Sequence, residues 1–434
     1  MSRIQISPIT AVTCNDSFAV IEDAAIHIEN NRIVFVGERA SAPDFEAEEN
    51  IGGEHLVALP GLVNTHTHAA MTLMRSYADD MALEPWLQTK IWPFEKNLSA
   101  VDVYWGTSLA IAEMIRGGTT TFADMYFYYE SGARAIEESG IRACPGGVLL
   151  GFLPDADERI ANAIAFTRDY SGAANGRITP FLAPHSLYTC NREQWQKMIA
   201  AAHEGSTPFT THASETRREV ADVTRDWGAS PIQTLEKIGA LDGPFLAAHC
   251  VHVDEKDLEI MARKNVCVAH NPTSNLKLAS GFAPVEKFLA RGITTGLATD
   301  GAASNNNLDL WQEMRLAALI HKATTGDPTT VSAQQAVLMA TREGARCLHL
   351  ESEIGSLEAG KKADVILLNF DAPHLSPRHS VVSHLAYSAR ADDVHSVIVD
   401  GKVLLRNREF TSLDLPQIQA EARLRAAKLA KSAE

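Results

Sequence analysis

Apolar and polar positions fall into two textures along this chain. In residues 1–58 the apolar runs are short and strand-like: Ile9 to Thr13, Ala24 to Glu29 and Arg32 to Val36. The turn pair Asn30-Asn31 separates the last two. The same texture returns at Ala363 to Leu368 and at Val394 to Asn407, where Val397-Ile398-Val399 enters the turn Asp400-Gly401 and leaves through Val403-Leu404-Leu405. Two β-rich ends around a different middle predict one small β-sandwich domain built from residues 1–58 and 361–434, ending in an Ala/Glu/Arg/Lys-rich helix from Leu415 to Ala430.

Between these ends, over 59–360, apolar runs alternate with amphipathic stretches, the signature of a parallel sheet with crossover helices. The runs are Leu59–Thr67, Thr120–Asp124, Arg142–Leu149, Ile178–His185, Phe209–His212, Phe245–His249, Val266–His270 and Ile293–Asp300. Helical patterns lie between them at Val103–Arg116, Ala156–Tyr170, Arg192–His203, Asp254–Lys264 and Pro284–Arg291. Eight such runs over about 240 residues predict an α/β fold of the (β/α)8 barrel type. An open doubly wound sheet is disfavoured, because no Gly-x-Gly-x-x-Gly turn follows the first run.

The bulk numbers narrow the class. With 434 residues, 45% hydrophobic and 21% charged, the chain has the composition of a globular protein with a large core. A formal charge of -15 argues against nucleic acid and anionic membranes as partners, but not against a small neutral substrate. The N-terminal Met1 to Ile6 lacks the apolar core of a signal peptide, and no run approaches a membrane span. Six scattered cysteines without a Cys-x-x-Cys pair suit reduced thiols in the cytoplasm.

Most of the predicted strands end in a residue able to bind metal or move a proton: His66 and His68, Asp124, His185, His212, His249, His270 and Asp300. In a barrel those ends converge on one face. His66 and His68 stand at i and i+2, so both imidazoles project from the same side of a strand. With His212 and Asp300 they make three imidazoles and one carboxylate, a set suited to Zn²⁺ or Fe²⁺ with one position left for a water whose pKa the cation lowers. Glu215, three residues after His212, is placed to shuttle protons beside a metal without binding it. His249 is a candidate to orient the attacking water, and Asp300 to accept its proton. Taken singly, each has a plainer reading: strand-end histidines bonded to loops, an aspartate in a turn before Gly301, and a solvated glutamate opening a helix.

Pro60-Gly61-Leu62-Val63-Asn64-Thr65-His66-Thr67-His68, the His212 to Glu215 step, Ala248-His249-Cys250-Val251-His252 and Thr299-Asp300-Gly301-Ala302-Ala303-Ser304-Asn305-Asn306 together resemble the amidohydrolase superfamily. Within it, they look like the 5′-methylthioadenosine/S-adenosylhomocysteine deaminases. The resemblance implies a barrel holding one zinc through His66, His68, His212 and Asp300. It also implies that Glu215 protonates the ring nitrogen, His249 positions the water, and Asp300 passes a proton to the departing ammonia. Binuclear relatives carry a modified lysine at the end of strand four, where this chain has Ala183-Pro184-His185-Ser186; a single metal is therefore expected.

By the same resemblance, Trp86 and Glu95 belong to the stretch that packs on the substrate and holds its ribose hydroxyls, and His185 contacts the purine ring. A carboxylate accepting two vicinal hydroxyls makes a sensible ribose clamp. Some relatives bind a homocysteine carboxylate with an arginine just after strand three. This chain has Cys144-Pro145-Gly146-Gly147 there, and Arg159, further along, is the candidate substitute. The leading expectation is hydrolytic deamination of an adenine nucleoside: 5′-methylthioadenosine first, then S-adenosylhomocysteine or adenosine. Two alternatives stand beside it. One is the same metal site acting on a pterin, guanine or s-triazine ring; the other is a non-catalytic scaffold, disfavoured because the full ligand set is present. Family members are commonly oligomers, so a homo-oligomer is expected.

Overall fold

The computed structural model describes residues 2–433 and divides their strands between two sheets. In chain order, the strands are β1 (Arg3–Val12), β2 (Val20–Glu29), β3 (Arg32–Glu38), β4 (Glu49–Ile51), β5 (Leu56–Pro60), β6 (Leu62–Thr67), β7 (Thr119–Tyr126), β8 (Arg142–Leu149), β9 (Phe181–Pro184), β10 (Phe209–Ala213), β11 (Phe245–His249), β12 (Cys267–His270), β13 (Thr295–Leu297), β14 (Val365–Asn369), β15 (Val394–Val399), β16 (Lys402–Arg406) and β17 (Glu409–Phe410).

The first sheet comes from both ends of the chain, in the order β17-β16-β15-β14-β5-β1-β2-β3, with β4 paired to β1. It is one continuous mixed sheet that curls on itself. The β2–β3 turn meets the β15–β16 turn, with Asn31 Nδ2 donating to Asp400 Oδ1 at 3.2 Å and an antiparallel bridge between Arg32 and Lys362. Gly401, at φ +74°, lies so close to Asn30 that a Cβ would fall 1.9 Å from its carbonyl oxygen. Ile6, Ile26, Ile28, Leu56, Val365 and Ile398 form part of the apolar core inside the curl.

The second sheet is all parallel, in the order β6 to β13, and closes into a barrel. Closure runs through hydrogen bonds rather than a ladder: Asp300 N donates to His66 O at 3.0 Å and Thr65 Oγ1 to Leu297 O at 2.9 Å. Every residue of these eight strands is buried, because side chains fill the interior and helices cover the outside. The predicted runs map onto them one for one. The first run, however, divides at Gly61: β5 pairs with β1 and β14, and β6 begins the barrel. A Cβ on Gly61 would sit 2.0 Å from Thr120 Oγ1, so only glycine lets the chain cross between sheets here.

A buried ion network ties the two sheets together. Arg142, at the start of β8, donates Nε to Asp364 Oδ2 at 2.8 Å and Nη2 to Asp364 Oδ1 at 3.1 Å, with Asp400 Oδ1 at 3.7 Å. The C-terminal helix, Leu415–Ala433, lies against the helix Ala100–Arg116, with Arg425 Nη1 donating to Asp102 Oδ1 at 3.1 Å. Its Ala422 and Leu429 share an apolar cluster with Ile91, Phe94 and Leu98, so the chain's last helix buttresses the segment that roofs the barrel mouth.

Candidate metal and catalytic site

The C-terminal ends of the barrel strands bring four histidines and an aspartate into one buried group. His66 Nε2 and His68 Nε2 lie 3.5 and 3.3 Å from Asp300 Oδ1, and His212 Nε2 lies 3.3 Å from His68 Nε2. Donor atoms of His66, His68 and Asp300 fall within 4.8 Å of one another, as do those of His66, His212 and His249. The other ring nitrogens are engaged: His68 Nδ1 on Met125 O at 2.7 Å, His212 Nδ1 on His185 O at 2.9 Å, and His249 Nδ1 on Asn275 Oδ1 at 2.9 Å. These outer bonds fix each ring and aim its Nε2 at the common centre.

A divalent cation fits this arrangement. His66 Nε2 and Asp300 Oδ1 are both buried without a hydrogen-bond partner, although they face each other. Unpaired polar atoms in a packed interior are costly. Here they point at the position where three imidazoles and a carboxylate meet, a donor set apt for zinc. The other Asp300 oxygen, Oδ2, accepts from Ser274 Oγ at 2.6 Å and Ser304 Oγ at 2.8 Å, leaving Oδ1 free.

Burial, reinforced for most by neighbouring imidazoles, keeps the cluster ready for a cation. It pushes His66 down to about 4 and His185 down to about 3, and His212 well below its ordinary value. Burial opposes the Asp300 charge, yet the adjacent His66 and His68 hold its carboxyl well below the usual range. His68 is the exception: burial works against its charge, but Asp300 and the Met125 carbonyl bring it to about 9.

Backbone strain concentrates at the same place. His249 has φ +73°, Asp300 φ +62° and Ser214 φ +54°, left-handed values that non-glycine residues adopt at a cost of about 1–3 kcal/mol each. At Ser214 the turn is pinned from below. Buried Glu219 accepts the Ser214 amide at 3.0 Å and the Glu215 amide at 2.6 Å, and Thr216 Oγ1 caps the following helix, Arg217–Trp227, at Glu219 N. The Glu215 carboxylate lies 3.9 Å from His249 Nε2, and burial raises its pKa, which favours the proton-carrying form.

Two adjoining chambers lie at this end of the barrel. The inner one, about 60 Å³, is lined by His68, Trp86, Glu95, His185, His212, Glu215, His249 and Asp300 among others. The outer one, about 720 Å³, shares Leu83, Leu87, Trp92, Tyr188 and Leu278 with it. Much of the roof is the helical segment Leu83–Glu95, whose central turn, Leu87–Ile91, is wound as a π-helix, a form common at functional sites. Trp86 is held there by Nε1 donating to Ala78 O at 3.0 Å. Burial pushes Glu95 up to about 7, with Tyr126 and His68 opposing the shift.

The family follows from comparison with known proteins. The model of the amidohydrolase family matches residues 57–404. A 5-methylthioadenosine/S-adenosylhomocysteine deaminase from Pelotomaculum thermopropionicum is 47% identical over 430 residues, covering 99% of each chain. The chain belongs to the amidohydrolase family. Among solved structures, this amidohydrolase is similar to a zinc-bound adenosine deaminase from Xanthomonas campestris, with a TM-score of 0.96 and 35% identity over 99% of each chain. It is also similar to the zinc complex of an atrazine chlorohydrolase from Arthrobacter aurescens TC1, with a TM-score of 0.91 and 26% identity, covering 98% of this chain and 100% of that one.

The structure places His66, His68, His212, Glu215, His249 and Asp300 together, and His185, Trp86 and Glu95 around the inner chamber of this amidohydrolase. Arg159 is not among the residues lining either chamber; its Nε pairs with Asp155 Oδ1 at 2.7 Å on the helix Ala156–Tyr170. His270 does not join the cluster either. Its Nε2 lies 3.0 Å from Nε2 of His321, on the helix Leu310–Thr325 outside the barrel wall. Ser274, Asn275 and Glu219 escaped the sequence reading. The first two lie just past the end of β12, a position that itself marks them; Glu219 looks like one more helical acid. Among the described residues, no helix is long and apolar enough to cross a membrane.

Proposed function

We propose that this amidohydrolase hydrolytically deaminates an adenine nucleoside, 5′-methylthioadenosine first among them, using one zinc held by His66, His68, His212 and Asp300. The observation that carries the reading is the buried meeting of those four residues with Glu215 and His249 at one end of the barrel. The deaminase named at 47% identity over nearly the whole chain supports the substrate class.

When bound, the cation lowers the pKa of water so that it attacks at neutral pH. The residues of the chain do the rest. His249, its ring fixed by Asn275, presents Nε2 to the water and sets its direction of approach. Glu215 carries a proton because burial favours its neutral form, and gives it to the ring nitrogen as water adds at the amine-bearing carbon. Asp300 keeps Oδ2 on two serine hydroxyls, so Oδ1 faces the reacting centre, takes one proton of the water and passes it to the amine, which leaves as ammonia, while the remaining hydroxyl proton returns to Glu215 as the ring carbonyl forms. Glu95 accepts the ribose hydroxyls, Trp86 walls the sugar, and His185, its Nδ1 3.2 Å from Ser186 Oγ, contacts the purine. The six cysteines are all free and buried, which supports a cytoplasmic setting; a homo-oligomer is the expected form, to be read by sedimentation.

The test is turnover of 5′-methylthioadenosine, S-adenosylhomocysteine and adenosine by the zinc-loaded protein, followed by the ultraviolet shift from adenine to hypoxanthine. Glu215→Gln should keep the metal and lose about 10²–10⁴-fold in kcat, since only proton transfer is removed. Absence of turnover with all three sinks the nucleoside reading. The likeness to an atrazine chlorohydrolase at TM-score 0.91 favours, as second reading, the same metal site acting on an s-triazine ring.

A further inference from the structure

Two segments bring side chains to Asp300, one of them also to His249, and a buried carboxylate outside the cluster ties the two together. The first is the helix Pro272–Lys277, where Ser274 Oγ donates to Asp300 Oδ2 at 2.6 Å and Asn275 Oδ1 meets His249 Nδ1 at 2.9 Å. The second is the short helix Ala302–Asn305, where Ser304 Oγ donates to the same Asp300 oxygen at 2.8 Å. Glu313 reaches both. Its Oε2 accepts Thr273 N at 3.0 Å, one residue before Ser274, and its Oε1 accepts Asn305 Nδ2 at 2.7 Å, one residue after Ser304. Asn305 Nδ2 also donates to Thr299 O at 2.7 Å, so this amide bridges Glu313 and the residue preceding Asp300.

The chemistry of Glu313 sets it apart from an ordinary core residue. It is fully buried and no cation pairs with it among the described residues, so an apolar side chain would fill the same space with less penalty. What only a carboxylate supplies is two acceptor oxygens on one side chain; glutamine offers one acceptor and one donor. The platform beneath it is fixed as well. The helix Leu310–Thr325 is anchored by Trp311 Nε1 donating to Gly117 O at 2.8 Å, and by His321, whose Nε2 lies 3.0 Å from His270 Nε2 at the end of β12. Asp300 and His249 both hold left-handed backbone angles, φ +62° and +73°, so their directions depend on what grips them from outside. We propose that Glu313 is a positioning residue: by clamping Thr273 to Asn305 it sets the directions in which Asp300 Oδ1 and His249 Nε2 face the reacting centre. Glu313 does not line either chamber, so it acts only through these neighbours. Its role in the reaction rests on the deaminase reading above; the clamp itself does not.

The experiment compares zinc-loaded wild type, Glu313→Gln and Asn305→Leu by steady-state turnover of 5′-methylthioadenosine, by zinc content, and by hydrogen–deuterium exchange resolved to short peptides. Expected for Glu313→Gln is a kcat about tenfold or more below wild type, since a catalytic group displaced by about 1 Å loses about 100-fold, with KM within about threefold and zinc content unchanged. Its exchange should quicken at 271–276 and 300–306 and nowhere else. Asn305→Leu frees one arm only, so exchange should quicken at 300–306 while 271–276 keeps its wild-type rate. A Glu313→Gln enzyme with kcat within about threefold of wild type overturns the proposal and leaves the deaminase reading standing. So does a loss carried by KM or by missing zinc, and so does exchange that is unchanged in the two segments or faster throughout the chain. If wild type turns over none of the three nucleosides, the deaminase reading fails and the positioning role falls with it.

Discussion

Replacing Glu219 with glutamine separates a residue that positions the chemistry from one that merely holds the fold. Glu219 is buried, and its two oxygens accept the amides of Ser214 and Glu215, the turn that presents the candidate acid. Glutamine keeps one acceptor and turns an NH₂ towards the other amide, so one bond to a charged acceptor is lost, at about 1.5–3 kcal/mol. Against this stands the cost of the charge itself. Burial, together with the neighbouring Glu215, pushes Glu219 up to about 7 from an ordinary 4.5, a penalty of about 3 kcal/mol above pH 7 that a neutral amide does not carry. The two effects oppose each other, so at pH 8 the urea midpoint should move by no more than about 2 kcal/mol equivalent. The rate should not be spared. Ser214 is held at φ +54° with the help of these bonds, and a shift of about 1 Å in a catalytic group costs about 100-fold. Expected, then, is a protein of near-normal stability and metal content whose kcat falls 10- to 100-fold. Glu219→Asp, too short to span both amides, should fall as well. A Glu219→Gln enzyme with kcat within threefold of wild type would refute the reasoning; so would a rate loss that merely tracks lost folded protein.

Other consequences can be checked with the same protein. His66→Ala or Asp300→Ala removes a donor from the central group and should drop metal content, read by elemental analysis, well below one per chain. Glu95→Ala should lower kcat/KM for a ribose-bearing substrate at least tenfold while changing turnover of a free base far less; equal losses on both would remove the ribose-clamp role. Glu313 is buried, accepts Thr273 N at 3.0 Å and Asn305 Nδ2 at 2.7 Å, and is pushed by burial up to about 7. Because its folded pKa lies above the unfolded value near 4.5, the native state binds the extra proton. Its contribution is therefore most favourable at low pH and is lost as pH rises from about 4.5 to 7, by about 3 kcal/mol. The stability of wild type relative to Glu313→Gln should accordingly be higher at pH 5 than at pH 8 by about 2.5 kcal/mol, measured by urea unfolding; a pH-independent difference would contradict it.

The resemblance of the motifs to the amidohydrolases is matched by the family found for the chain, and the (β/α)8 count by the observed barrel. Both were legible for local reasons. A strand buried on both faces carries few charged or imidazole side chains along its length, so those at or just beyond its end stand out, as at His66, His212 and Asp300. His66 and His68 declare themselves through the period of two of a strand. The same rule misled at His270, because a strand end can face the barrel mouth or the surrounding helices, and only packing against His321 decides which.

What sequence by itself determined is whatever depends on periodicity and on residue type at strand ends: the barrel, the two-ended β region and the candidate residues that gather at one end of the barrel. Tertiary structure alone decided the rest. That Ser274 helps leave one Asp300 oxygen free and that the C-terminal helix braces Ile91 and Phe94 are matters of contact between segments well separated in the chain, and Glu219 grips the amides of its own turn because the backbone at Ser214 takes a left-handed path.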